Sequence, residues 1–161
     1  MSVVVRPGGD VDAPALREIR LEALADTPDA YQSTYADASG WNDAQWRDVA
    51  ARWRFFLAED DGAVVGLASG GTHEQLPSAR WLLGMYVTPS ARGGPAAVGL
   101  VNAVAAWARS EGATELYLHV TDRVARARSF YDKVGFTPTG EVVSMSRDPS
   151  IAVVTMVRAL D

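Results

Sequence analysis

Cysteine is absent from this sequence, which excludes disulfides, thiolate metal sites and a cysteine nucleophile. Histidine is scarce: His73 and His119 lie far apart without metal-ligand spacing, so no metal centre is expected. Concentrated positive charge is also missing. Fifteen Lys plus Arg stand against twenty Asp plus Glu, a formal charge of −5, and the basic residues are scattered. No nucleic-acid partner is expected, because neutralising phosphates needs basic residues gathered on one surface. The acidic balance serves solubility and mildly favours a cationic acceptor. Long hydrophobic runs are missing too. The opening "MSVVVRPGGD" carries only Val3 to Val5 as an apolar run before Arg6, too little for a signal peptide or an anchor. The expectation is a cytoplasmic protein with no membrane contact.

What is present is one core's worth of chain. At 161 residues and 48% hydrophobic, the length suits one domain over residues 1–161. No repeat, low-complexity tract or linker divides it. "VVVR" reads as a strand ended by Pro7-Gly8-Gly9. Asp12 is an N-cap candidate for a helix with Leu16, Ile19, Ala23 and Leu24 at helical spacing. Asn42 and Gln45 have capping-box form ahead of a second helix with Trp46, Val49, Ala50 and Trp53. Asp61-Gly62 predicts a type I′ hairpin between two strands. "RWLLGMYVTP", Arg80 to Pro89, is a further strand. A long helix follows, with Leu100, Val101, Val104, Trp107 and Ala108 on one side and Gly112 at its end. "TELYLHV" is a strand by composition, "VARARSFYDKVGF" a short amphipathic helix closed by Gly135, and two more strands finish the chain. The order predicts an α/β (α+β) domain, with a parallel crossover inside a hairpin-rich sheet.

"SARGGPAAVGLV", Ser90 to Val101, is the stretch on which function turns. A strand, a glycine-rich turn and a helix start make an anion site, because first-turn N–H groups lack partners and the helix dipole adds positive charge. Such a turn is as often a plain connection. No Walker lysine follows the glycines, so a generic nucleotide module is disfavoured.

The wider segment "VTPSARGGPAAVGLVNAVAAWARSEGATELYLHVTDRVARARSFYDKVGF" resembles the GNAT N-acetyltransferase superfamily. Val87 and Pro89 match its strand end, and Arg92 and Ala97 match the ends of its R/Q-x-x-G-x-G/A loop. Ala127, Phe130, Tyr131, Gly135 and Phe136 match its last helix. The resemblance implies a mixed central sheet of about six or seven strands flanked by about four helices. It also implies direct transfer of acetyl from acetyl-CoA to an amine, here that of a small-molecule acceptor. Met85, Tyr86 and Val87 would align the pantetheine arm and polarise the thioester. Arg92, Gly93, Gly94, Ala96 and Ala97 would hold the pyrophosphate, and Tyr131 would protonate the departing thiolate.

Two positions depart from the pattern: Pro95 replaces a loop glycine and Val124 replaces an asparagine. Pro95 suits a helix start but removes one N–H. Asp122 or Arg123 is expected to substitute in part for the asparagine that Val124 replaces. These departures keep open a second reading, a GNAT-fold binding or regulatory module with a degraded CoA site. A third is transfer of a different acyl group. The strand "RWLLGMYV" supplies no carboxylate base. His119, the pair His73-Glu74 and a water relay remain as routes for the acceptor's proton. Tyr31, Tyr35 and Trp41 are candidates for the acceptor pocket, or for packing helices on the sheet. Family members commonly form dimers, and the valine-rich C-terminal strand could support a homodimer.

Overall fold

The computed structural model describes residues 2–161. Seven strands form one sheet: β1 (Val3–Pro7), β2 (Arg54–Asp60), β3 (Ala63–Thr72), β4 (Ala79–Val87), β5 (Glu115–Thr121), β6 (Thr137–Met145) and β7 (Asp148–Ala159). Their spatial order is β1-β2-β3-β4-β5-β7-β6. Every neighbouring pair is antiparallel except β4 and β5. The β2–β3 hairpin closes through Asp61 and Gly62 at φ 50° and 84°, the double positive φ of a type I′ turn.

Five helices flank the sheet: α1 (Ala13–Asp26), α2 (Tyr35–Ser39), α3 (Asp43–Arg52), α4 (Ala96–Ser110) and α5 (Ala125–Lys133). One more is present than expected. The addition is α2, a single short helix in the stretch read as irregular, where the Thr34 hydroxyl accepts the Asp37 N–H at 3.2 Å. The capping box of α3 is complete, with reciprocal Asn42 and Gln45 bonds of 2.8 Å each. Asp12 acts differently from its expected role. It precedes α1, but its carboxylate accepts the Gly9 N–H at 2.9 Å and pairs with Arg6 at 2.8 Å, tying the helix entry to β1.

Leu100, Val101, Val104 and Ala108 bury one face of α4 against the sheet. Gly70 of β3 lies beneath the Trp107 ring, where a Cβ would fall 2.3 Å from a ring carbon. The opposite face is covered by α1 and α3, whose Leu16, Ile19, Leu24 and Trp46 meet Phe55, Leu57 and Leu67.

The feature that positions the site lies in β4. Ser69 pairs with Leu83 and Leu67 with Tyr86, so one β3 residue faces two on β4. Gly84 supplies this bulge with φ 58°, a conformation costly for side-chain-bearing residues. The extra residue reverses the facing: Leu82 joins the α4 core whereas Tyr86 joins the α1–α3 core. It also bends β4 away from β5. Their ladder ends at Leu82 and Leu118, although β4 continues to Val87 and β5 to Thr121.

Candidate active site

The parted strands leave a passage through the sheet. On the α4–α5 side lies a cavity of about 250 Å³ lined by Tyr31, Met85, Val87, Ala97, Phe130 and Tyr131 among others. It narrows to a chamber of about 70 Å³ that reaches Met85, His119, Val124 and Tyr131. A third cavity, of about 260 Å³, shares His119 and Thr121 with that chamber and opens toward Gln32 and Ser144. Tyr131 and His119 therefore stand at opposite ends of one narrow connection.

Main-chain direction decides what β4 offers. The Thr88 N–H bonds to Val65 of β3 at 2.8 Å, so by strand alternation Met85 and Val87 direct their polar groups into the gap. Both carbonyls there have partners. Tyr31 donates to Met85 O at 2.8 Å, and Arg92 Nε donates to Val87 O at 3.0 Å. The N–H groups of Met85 and Val87 are thus what the strand presents. Tyr86 is turned the other way: its main chain lies in the β3 ladder, and its hydroxyl donates to Glu22 at 2.8 Å.

At the glycine turn, Pro95 is the N-cap of α4 with φ −79° and ψ −8°. Its carbonyl accepts the Gly99 N–H at 3.0 Å, which leaves the N–H groups of Ala96, Ala97 and Val98 ahead of the first helical bond. Gly93, at φ 82°, faces open space. Ala96, an expected member of the cradle, is fully buried; the N–H groups of Ala97, which lines the cavity beside Gly93, and of exposed Val98 fit a pyrophosphate, and the gap fits an extended arm. Two expected members of the cradle are otherwise engaged. Gly94 donates its N–H to Ala91 O at 3.3 Å. Arg92 is folded back on Asp26 at 2.7 Å, its guanidinium 5.7 Å from the Tyr86 ring centre. The Arg92 guanidinium in turn holds the Asp26 carboxyl below the usual carboxylate range. A different cation, Arg126 in the first turn of α5, lines the cavity rim.

Val124 lines both the cavity and the chamber. The two neighbours expected to compensate for it are held elsewhere. Asp122 accepts the Ala152 N–H at 3.3 Å, and Arg123 donates to Ser150 at 3.0 Å.

Tyr131 is 7% exposed, with the Phe130 and Phe136 rings 5.5 and 5.8 Å away. Burial pushes its phenol well above the ordinary tyrosine range, so it stays protonated at neutral pH. His119 projects from the sheet face opposite α4 and rests on Trp81, ring centres 4.5 Å apart. Desolvation lowers its pKa, assisted by His73 and opposed by Glu141. The imidazole is neutral near pH 7 and able to accept a proton.

His73 takes a structural part. Its Nδ1 accepts the N–H groups of Gln75 and Leu76 at 3.2 Å each, and its ring stacks on Trp81. Trp41 packs on Trp46 at 4.8 Å between centres, and Tyr35 is exposed. Of the three N-terminal aromatics singled out from the sequence, Tyr31 alone reaches the passage. Among the described residues no cluster of acidic, histidine or cysteine side chains could hold a metal ion. No helix among them is long and apolar enough to cross a membrane.

Comparison with known proteins identifies the fold and the family. The fold is similar to a GNAT-family acetyltransferase from Streptococcus pneumoniae, 17% identical, with TM-score 0.82 and coverage of 99% of this chain and 100% of that one. An acetyltransferase from Salmonella typhimurium, solved with acetyl-CoA, is 20% identical with TM-score 0.76, covering 100% and 95%. A GCN5-related N-acetyltransferase from Kribbella flavida is 23% identical with TM-score 0.77 and covers 98% of each. Among curated proteins, none matches this sequence. A sequence model described as the acetyltransferase (GNAT) family matches residues 16–136. That span runs from α1 past the bulged strand and the glycine turn to Phe136, and the chain accordingly belongs to the GNAT acetyltransferase family.

Proposed function

We propose that this protein transfers the acetyl group of acetyl-CoA directly to the amine of a small molecule, with both substrates bound at once. The observation that carries this reading is the passage through the sheet, with Tyr131 on the cavity side and His119 on the far side. When bound, acetyl-CoA supplies an acyl group activated as a thioester. The N–H groups of Ala97 and Val98 and the charge of Arg126 would hold the diphosphate end. The Met85 and Val87 N–H groups orient the arm and the carbonyl, and donors fixed in advance stabilise charge as it develops.

Tyr131 holds the proton for the thiolate. Its raised pKa would make it a poor acid in water, but a thiolate in the same apolar chamber is desolvated too, so both proton affinities rise together. On the other side, neutral His119 accepts the acceptor's proton, a contribution of roughly 10²–10⁴-fold in rate. Accessible N–H groups at Ala97 and Val98 in the first turn of α4 support the acetyl-transfer reading despite Pro95.

The test is a calorimetric titration with acetyl-CoA, followed by mass spectrometry of an amine panel using native protein and Tyr131→Phe. Micromolar binding, with acetylated product that falls at least tenfold in the variant, supports the reading. Absence of cofactor binding would overturn it in favour of a non-catalytic module.

A further inference from the structure

Arg20 of α1 is a cation without a counter-ion. Its Nη1 is buried with no hydrogen-bond partner, and among the described residues no carboxylate acts on it; burial, which lowers its pKa, and the nearby Tyr31 are the influences on it. The guanidinium carbon lies 4.9 Å from the Tyr31 ring centre. A buried guanidinium is costly unless a hydrogen-bonded anion accompanies it.

The surroundings say where such an anion would sit. Arg20 lines a groove of about 700 Å³ with Ser33, Trp53, Ser69, Leu83 and Gly84. Gly84 also lines the narrow chamber between Tyr131 and His119. Nη1 is 3.6 Å from where a Cβ on Gly84 would be, and Ser69 Oγ is 3.9 Å from the same point. The guanidinium therefore stands directly beside the bulge that opens the sheet. The groove's charged side chains are Arg20, Arg52, Arg54 and Glu111; Arg52 is already paired with Asp48. Positive charge predominates, despite the chain's net charge of −5.

We propose that the acceptor is an amino acid or similar zwitterion, whose carboxylate is bound by Arg20 with Ser69 while its amine enters the chamber past Gly84. The inference rests on the acetyl-transfer reading and narrows its substrate class. It departs from the mild preference for a cationic acceptor expected from composition, because the overall acidity of the chain is not reproduced around this groove.

Two measurements test it. In the first, glycine, 3-aminopropanoate, 4-aminobutanoate and a set of α-amino acids are compared with their carboxamides as acceptors, by thiol release from acetyl-CoA. Native protein should favour at least one acid over its amide by about ten- to a hundredfold in kcat/KM, the range of one charge-assisted interaction. Arg20→Gln should abolish the preference by raising KM for the acid alone, and Arg20→Lys should restore part of it. Equal use of acid and amide by native protein, or equal losses for both in Arg20→Gln, would overturn the proposal. In the second, the Arg20 Nε–H resonance is followed by NMR while the same acids and amides are added to CoA-bound protein. Saturable shifts with the acids alone support the site whether or not turnover occurs; no shift with any acid overturns it. Loss of CoA binding would instead sink the acetyl-transfer reading, separately from this one.

Discussion

Replacing Pro95 with alanine should have two effects of opposite sign. Pro95 has φ −79° and ψ −8°, values open to alanine, so Pro95→Ala leaves the turn in place and restores one N–H beside those of Ala96, Ala97 and Val98. A charge-assisted bond to a diphosphate contributes about 1.5–3 kcal/mol. At about 1.4 kcal/mol per decade, CoA binding tightens by up to ten- to a hundredfold. The proline, meanwhile, restricts the unfolded chain, and losing that restriction costs about 0.4–1 kcal/mol of stability. For a domain of this size that is a fall in Tm of about 1–4 °C. The assay is calorimetric titration with CoA and with desulfo-CoA, which keeps the diphosphate and removes the thiol, beside a thermal melt without ligand. Tighter binding of both ligands together with a lower Tm is expected. Affinity unchanged within about twofold would refute the reasoning, since the nitrogen of residue 95 would then not face the diphosphate.

The remaining perturbations bear on other parts of the passage. Asp26→Asn releases Arg92 from its carboxylate partner, and the freed guanidinium should tighten CoA binding by up to about fivefold with steeper salt dependence, as expected when a screened ion pair of about 0.2–1 kcal/mol no longer has to be broken for a diphosphate contact; weaker binding would mean that Asp26 holds Arg92 in its useful position. The Asp26 carboxyl is depressed in the folded state, so the native pair's contribution to stability is present above the ordinary carboxylate range and lost as pH falls through the depressed value. Because the folded-state pKa of His119 lies below its ordinary 6.5, the acid limb it contributes to kcat/KM, once the acceptor's own amine titration is divided out, should lie beneath that pH. His119→Gln should remove this acid limb and lower kcat by roughly 10²-fold or more, and a limb that survives the substitution belongs to another group. Gly84→Ala forces a side chain into φ 58° at a cost of about 1–2 kcal/mol, which predicts a Tm lower by about 2–8 °C; an unchanged melt would show that the bulge does not need glycine.

Much of this architecture was legible because its causes are local. The Asn42 capping box, the Asp61-Gly62 hairpin and the stops at Gly112 and Gly135 depend on neighbours in the chain, and each formed as its residues predict. Of the candidate site, only positions set within one segment were legible: that of Tyr131 on its short helix and that of the first-turn N–H groups of α4. What escaped was pairing between distant segments. Nothing near Arg92 announces Asp26, 66 residues earlier. Likewise, Arg20 reads as one polar position on an amphipathic helix until Tyr31 and the bulge at Gly84 are folded around it. Asp12 shows the same limit on a smaller scale, since its choice between helix cap and ion-pair partner was settled by Arg6 from β1.

The early end of the β4–β5 ladder, at Leu82 and Leu118, would make a bound arm, on the proposed reading, an honorary strand. Backbone donors that elsewhere in the sheet are satisfied by a neighbouring strand lie here beyond the ladder's end, so that a ligand bonded to them would complete the sheet. Binding and folding are then thermodynamically linked, and a ligand held at a hundred times its Kd adds about 2.7 kcal/mol to the stability of the whole domain. The protection should concentrate in Leu83–Val87 and His119–Thr121, which makes amide exchange along these two segments a reporter of occupancy that needs no acceptor and no turnover.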